Sequence, residues 1–432
     1  MDTLPLPARP SLDHYRKRAK ELVSAARSGD ETAVRTWADD WLRALASSLD
    51  VTVTPFVQHS MDRAIAAIEA RVRESTSFAL SDAQFLIAQA HGFESWARFA
   101  DHIRPGAPRD TPFEAAADAV VGGDLDVLRR LVAENPELIR AHSERVHRAT
   151  LLHYVAANGV EDFRQLTPPN AVAIARFLLE SGAQADALAA TYGNDRYQTT
   201  MNLLVSSTHP ADAGVQAQLV ETLVDFGAAV DGLDDDSSPL MTALAFGYRD
   251  AADALVRRGA RVDSIIAAAA MGRVDVVDRV MVNGATLAPG TRLVGPAWFH
   301  LPSKPVAHIE LAFAWACKFG RAEVAHLMLD RGVRPTAKDN SDMTALHWAA
   351  ASGLTTVVDR LLAMGAPLEV ENQWGGTVLN STLHFALYIP VPGVDYAPIV
   401  ARLVKAGADV RVVDPFPTGN AAIDEVLQSH RT

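Results

Sequence analysis

Tyr192, Asp195, Tyr197 and His209 are the residues in this chain whose types best suit chemistry. A carboxylate paired with an imidazole tunes a base to near-neutral pH, so together they would make an acid–base constellation. His300, beside Trp298 and Phe299, is another imidazole in an irregular stretch. Sequence alone does not bring these groups within reach of one another, and no catalytic residue is assigned. Asp231, Asp234, Asp235 and Asp236 could offer oxygen ligands to a cation, but EF-hand spacing is absent, and the expectation is a solvated turn without metal. Cys317, the only cysteine, lies in Ala314-Trp315-Ala316-Cys317-Lys318 with no activating motif and reads as packing. A single cysteine excludes a disulfide framework and a Cys-rich zinc site. Nucleophile elbows, H-E-x-x-H helices and phosphate loops are missing, and Gly122-Gly123 and Gly375-Gly376 signal turns only, so no cofactor is expected.

The elements that would position such residues follow a clock. Gly247 is followed 12 residues later by Gly259, Gly272 by Gly284, Gly320 by Gly332 and Gly353 by Gly365. Gly123 and Asn135 keep the same spacing, with Asn as a residue able to end a helix in the left-handed region. The first Gly ends a short helix and a second amphipathic helix follows, as in 274–280. The second Gly takes the positive φ of a C-cap, and a small residue after it packs on the next unit. Each pair is too small to bury its own apolar face, so neighbours must stack. Six residues before Gly159 and Gly353 stand His153 and His347, within Thr150-Leu151-Leu152-His153 and Thr344-Ala345-Leu346-His347.

These stretches, with "ATLLHYVAANG", "MTALHWAAASG", "LLESGAQAD", "LVRRGARVD" and "LLAMGAPLEVEN", resemble the ankyrin repeat, a 33-residue unit with a Thr-Pro-Leu-His-x-Ala pattern. Gly332 to Gly365 spans 33 residues and Gly227 to Gly259 spans 32. The resemblance covers roughly residues 111–432. It implies an all-α solenoid with short hairpin fingers, of about eight units at 113–147, 150–186, 200–231, 238–263, 264–288, 309–337, 344–370 and 381–412. Residues 419–430 would be a capping helix. The resemblance also implies that His153, His347 and His384 bond between neighbouring units. "LPARPSLDHYRKRAKELVSAARSGD" and "ALSDAQFLIAQAHGFESWARF" resemble N-terminal extensions of bacterial ankyrin-repeat proteins, to which no activity attaches. The chain therefore divides into a helical N-terminal cap, 1–109, and the solenoid, 110–432. Within the cap, helices are expected after Ser11 and from Ser81-Asp82 to Ala90, with Trp37, Trp41 and Trp96 in its core. Arg16, Lys17, Arg18 and Lys20 read as a solvated helix face.

The array also breaks its clock. A regular finger leaves 15 residues between the second Gly and the next His position, as from Gly332 to His347. Gly182 to Leu203 is 21, Gly365 to His384 is 19 and Gly284 to Ala314 is 30, while Gly259 to Ile266 is only 7. Further insertions follow Gly159, Ser207-Thr208-His209-Pro210 and Tyr388-Ile389-Pro390. Insertions in repeat proteins map to loops, and loops carry function. The enlarged fingers hold Tyr192, Asn194, Asp195 and Tyr197; Trp298, Phe299 and His300; and Trp374. In an ankyrin protein, fingers and first helices line a concave groove, so these aromatics and Trp348 would face a partner. The missing finger leaves a gap that 285–308 could fold over, turning the groove into a pocket.

The chain has 432 residues, 49% of them apolar and 21% charged, an ordinary globular composition. With 52 acidic against 40 basic residues its net charge is −12, which argues against a duplex nucleic-acid partner. No apolar run approaches the ~20 residues of a membrane span, and the N-terminus lacks a secretory pattern, so a cytoplasmic protein is expected. The leading functional reading is a non-enzymatic recognition protein that binds a protein partner through its groove and aromatic fingers, as a monomer by default. The alternative is a small-molecule pocket or enzyme built on the insertions around Tyr192, Asp195, Tyr197, His209 and His300.

Overall fold

Several helix starts in this chain are set by Ser and Thr side chains, among them Ser11, Ser95, Thr111, Thr199, Ser264, Thr344 and Thr377. In the computed structural model, which describes residues 4–7, 10–30, 32–49, 53, 55–75, 77–103, 111–191, 197–299 and 301–430, Ser11 accepts the His14 amide and opens α1 (Leu12–Arg27). Gly29, at φ +74°, follows its end. Then come α2 (Ala33–Ser48), α3 (Pro55–Glu74), α4 (Leu80–Ala90) and α5 (Trp96–His102). The α4 start falls before Ser81, because the Asp82 carboxylate reaches back to accept the Ala79 amide at 2.8 Å. Tyr15, Trp37, Trp41, Ile87, Phe93 and Phe99 form the core of these helices, with Trp96 partly buried against it. At its centre the His91 ring stacks on Phe99 (5.4 Å) and meets Tyr15 and Trp41 edge-on, with Nδ1 3.1 Å from the Leu4 carbonyl. Burial pulls the His91 pKa down to about 4.

The rest of the chain is built from helix pairs. The first compact unit, Met1–Ala229, adds α6 (Pro112–Gly122) with α7 (Leu125–Glu134), and α8 (Leu151–Tyr154) with α9 (Ala171–Glu180). The antiparallel hairpin β1 (Leu188–Ala190) and β2 (Tyr197–Thr199) leads to α10 (Thr200–Leu204), α11 (Thr208–Asp212) and α12 (Gln216–Asp225). The insertion after Ser207 is thus α11, between the paired α10 and α12.

The second unit, Val230–Thr432, contains α13 (Ser238–Phe246) and α14 (Arg249–Arg257), then α15 (Ile265–Met271) and α16 (Val274–Val280). The short hairpin β3 (Met281–Asn283) and β4 (Thr286–Leu287) precedes α17 (Pro305–Lys318) and α18 (Ala322–Asp330). Next are α19 (Ala345–Ala351) and α20 (Thr355–Ala363), α21 (Val378–Tyr388) and α22 (Ala397–Lys405), and the closing helix α23 (Ala421–Gln428). Helix α17 packs between α15 and α19, and α19 between α17 and α21. The first helices are made close-packing by small residues: Ala267 to Ala270 of α15 and Ala312, Ala314 and Ala316 of α17 are fully buried. Cys317 is among them, and burial pushes its thiol up, out of nucleophilic range. The fold is all-α, in repeated pairs that match the expected units one for one.

The clock holds with two corrections. Gly247, Gly259, Gly272, Gly320, Gly332, Gly353 and Gly365 all have positive φ, but Gly284 does not. There α16 ends early at Val280, the chain enters β3, and the Gly284 amide donates to Arg331 O at 2.7 Å. A Cβ at 284 would run into the Gly332 carbonyl and come within 2.8 Å of Val333 N, so this glycine is required for close backbone approach and not for its dihedral freedom. Gly284→Ala should lower stability by about 1–3 kcal/mol, read as a fall in thermal midpoint; an unchanged midpoint would refute the packing argument. Asn135 does not take the left-handed region either. It sits at φ −139°, and its side-chain amide donates to Leu131 O.

His153 and His347 fulfil their expected role. Each accepts at Nδ1 from the amide of the Thr three residues before it, and each sets Nε2 against a finger carbonyl, Ala187 O at 3.1 Å and Gly376 O at 3.2 Å. His384 does not: it is exposed on α21. The cap of α21 is Thr377, which accepts from the Asn380 amide, so Asn380 occupies the position three after Thr. Gly365 to Asn380 is 15 residues, the regular finger length. The four extra residues lie in α21, which has 11 residues where α19 has 7.

Candidate recognition surface

The proposed acid–base constellation is only partly within the described residues. Tyr192, Asn194, Asp195 and His300 lie outside them. Tyr197 is on β2 opposite Ala190, 60% exposed, and His209 is exposed on α11. No hydrogen bond or ring contact joins Tyr197 to His209 among the described residues.

The described residues of 285–308 reach back to the place of the missing finger. Arg292 donates to Asp235 O at 2.7 Å and pairs with Asp263 at 3.3 Å, in the short connector that replaces the finger. Gly295 is seated beside Leu301 and Met241. Trp298 rests on Phe246 of α13 (5.8 Å), and Phe299 on Trp315 of α17 (5.5 Å). The acidic run is likewise held by arginines: Arg261 takes Asp231 and Asp235, and Asp236 accepts the Ser238 amide. Among the described residues no group of His, Cys, Asp and Glu has metal-binding geometry.

A band of rings runs across the second unit. Tyr248 stacks on Phe246, followed by Trp298, Phe299, Trp315 and Phe319, with successive centroids 5.5–6.3 Å apart. The Lys318 ammonium bridges to the next helix, standing over Trp315, Phe319 and Trp348 at 5.3–5.5 Å. Trp348 meets Phe385 at 5.7 Å, and His384 continues to Tyr388. The Trp348 indole N–H donates to Asp339 at 2.8 Å, which locks the ring. Phe246 is 51%, Trp298 38% and Tyr388 69% exposed. Trp374 is 71% exposed at a fingertip whose turn is tied by Asn372, which accepts from the Trp374 and Gly376 amides. Of the expected partner-facing residues, the structure brings Trp298, Phe299 and Trp348 into one band. Phe246, Phe385 and Tyr388 belong to it and were not anticipated; their signal was aromatic recurrence near the ends of first helices.

Sequence reasoning also missed a buried ionic cluster in the first unit. Glu161 and Arg164 begin the insertion after Gly159, and Arg164 donates to Glu114 at 2.6 Å, Asp118 at 2.8 Å and Glu161 at 3.3 Å. Arg145 pairs with Glu161 at 3.4 Å and Glu114 at 3.6 Å, and His147 faces Glu161 at 3.4 Å, an ion-pair separation too long for a well-formed hydrogen bond. Burial alone would raise the Glu161 pKa, yet His147, Arg164 and Arg145 outweigh it and hold it at about 2. Glu161 is fully buried. The charges are spent on one another, so the cluster fastens the fold. Arg145 also donates to His91 O at 2.8 Å and covers the Phe93 ring, tying the repeats to the N-terminal helices.

Among known proteins, the family described as ankyrin repeats (3 copies) matches residues 265–372 and 313–414. A potassium channel, KOR2, from Oryza sativa subsp. japonica is 32% identical over 75 residues, 17% of this chain; the chain spans a tenth of that relative's length. Two solved structures are similar: the human ASB11 ankyrin repeat domain (19% identity, 68% of this chain and 98% of that one, TM-score 0.32) and the ankyrin repeat domain of Bcl-3 (20% identity, 63% and 93%, TM-score 0.30). The matched stretch contains the Thr344-to-His347 helix start, the bridge from His347 to the next finger and the Gly-timed helix pairs described above, and residues 265–414 match the ankyrin-repeat family.

Proposed function

We propose that this chain is a non-enzymatic recognition protein that holds a protein partner on the aromatic band and fingers of its second unit. Ankyrin repeats are protein–protein interaction modules, which supports a binding role. The observation that carries the finer reading is the band itself: Phe246, Trp298 and Tyr388 leave large aromatic area in water although chain-mates hold the rings around them, and Trp374 stands exposed on the neighbouring fingertip. Partly exposed, preorganised Trp and Tyr are the anchors of protein interfaces, because they bring contact area at little entropic cost. Tyr192, Asn194, Asp195 and Tyr197 are proposed as further contact residues, supported by the exposure of Tyr197. Residues 1–109 are proposed as a helical cap, and the protein as a cytoplasmic monomer. No helix of the described residues is long and apolar enough to cross a membrane.

The test compares wild type with Trp298→Ala and Trp374→Ala. Each substitution should weaken capture of the partner by about 2 kcal/mol or more, roughly thirtyfold, while the thermal midpoint moves little. Equal capture by all three proteins would reject the band as the binding surface. A large fall in midpoint for Trp298→Ala would make that ring a core residue instead.

A further inference from the structure

Three cations meet beside the aromatic band without a carboxylate paired to any of them among the described residues. Arg249, at the start of α14, donates to Phe319 O at 3.1 Å and Lys318 O at 2.9 Å and lies over the Phe319 ring. Lys318 donates to Ala245 O at 3.2 Å, inside its three rings. Arg321 donates to Ala270 O at 2.8 Å. Each of these acceptors is a backbone carbonyl at or near the C-terminal end of α13, α15 or α17, where helix dipoles favour positive charge. These contacts hold the side chains in place but do not neutralise them. Burial and the neighbouring charges pull the Lys318 and Arg249 ionisations down, as expected for like charges crowded together. The carboxylates that act from a distance on Arg249 and Lys318 are Asp253 and Asp339 respectively, and Asp339 is engaged by the Trp348 indole and the Ser341 and Met343 amides. A chain of net charge −12 therefore keeps an uncompensated positive spot next to the exposed rings of Phe246 and Trp298.

We propose that Arg249, Lys318 and Arg321 select the partner, and that it is an acidic peptide segment whose carboxylates reach these cations while its apolar side chains lie on Phe246 and Trp298. The proposal rests on the recognition reading above and specifies the chemistry of the partner. Preoriented cations beside low-dielectric rings focus potential, raise the on-rate of an anionic segment and reject a cationic one. Arg249 is an exposed residue, and its guanidinium keeps N–H donors beyond the two given to Phe319 O and Lys318 O, which a carboxylate can accept.

The full chain is titrated with two fluorescein-labelled peptides of equal length and identical Trp and Leu positions, one with Glu and one with Lys at the remaining positions, read by fluorescence anisotropy. The acidic peptide should bind at least about tenfold tighter, with affinity that falls as salt rises. Arg249→Gln with Arg321→Gln should erase the preference, and Arg249→Lys should keep most of it; circular dichroism verifies that each variant is folded. Equal binding, or tighter binding of the Lys peptide, overturns the proposal. If that binding still disappears in Trp298→Ala, the recognition reading survives without it. If neither peptide binds, the acidic-partner proposal fails, and the capture comparison of Trp298→Ala and Trp374→Ala decides the recognition reading separately.

Discussion

Arg164→Met is expected to destabilise the protein by about 3–5 kcal/mol, one of the two largest effects anticipated here. The loss is not the net worth of the ion pairs, because bringing these charges out of water costs most of what their attraction returns. It arises because Met removes one guanidinium from a site where Glu114 and Glu161 are both buried, leaving Arg145 as the one arginine that serves both, with His147 beside Glu161 only. Glu161→Gln acts from the other side: Arg145, Arg164 and His147 would be left with one fewer anion. Denaturant titration followed by circular dichroism at 222 nm measures both, and the double variant supplies the coupling. The pair should be far less destabilised than the sum of the singles. Additive losses, or a loss below about 1 kcal/mol for Arg164→Met, would mean that water reaches the cluster and that it does not fasten the unit.

The second large effect is a loss of stability in mild acid. His91 and His153 each have a folded pKa of about 4, with burial the leading cause, against roughly 6.5 in an unfolded chain. Between these values the unfolded state binds more protons than the folded one, so stability falls as pH falls. The contribution is whole above pH ~6.5 and is lost progressively toward pH ~4. At pH 5 each histidine accounts for about 2 kcal/mol, near 4 kcal/mol for the two. The Glu161 carboxylate adds nothing until pH drops below its unfolded value, since it stays ionised in both states above that. His91→Phe keeps a ring against Tyr15, Trp41 and Phe99 and should remove its own share, about 2 kcal/mol, of the loss between pH 7 and 5. A midpoint that does not change across that range would show that neither imidazole is desolvated in the folded protein.

What could be read from the sequence was whatever is encoded locally. A Gly that ends one helix and a Thr that begins the next are determined by the residues beside them, so helix pairs were placed to within a turn at Gly247, Gly353 and Thr344. The Trp residues of the N-terminal helices were expected inside and two of them are buried there. Errors arose where one residue type was followed in place of the geometry behind it. His384 was taken for the bridging histidine because it is a histidine, whereas the bonding pattern belongs to Thr377 and the residue three after it. Gly284 resembled a cap because it keeps the count of 12, yet its role depends on Arg331 and Gly332, nearly fifty positions away. The ionic cluster was hidden for the same reason: Arg164 finds Glu114 fifty residues upstream. The cations beside the band escaped notice because backbone carbonyls hold them, and carbonyls are present at every position and leave no pattern.

The extra turn of α21 bears on how such a surface can grow. Four residues advance an α-helix by about 400°, so residues beyond the insertion return to within roughly 40° of their former bearing. A four-residue gain therefore moves Phe385 and Tyr388 onward along the helix without rotating them off the band. Gains of one or two residues would swing the same rings through about 100–200° and turn them away from it. Length change in these first helices should therefore come in near-whole turns, and lineages of this protein should differ in the reach of the aromatic face by steps of about 6 Å, four residues each, and not by the smaller steps that one or two residues give.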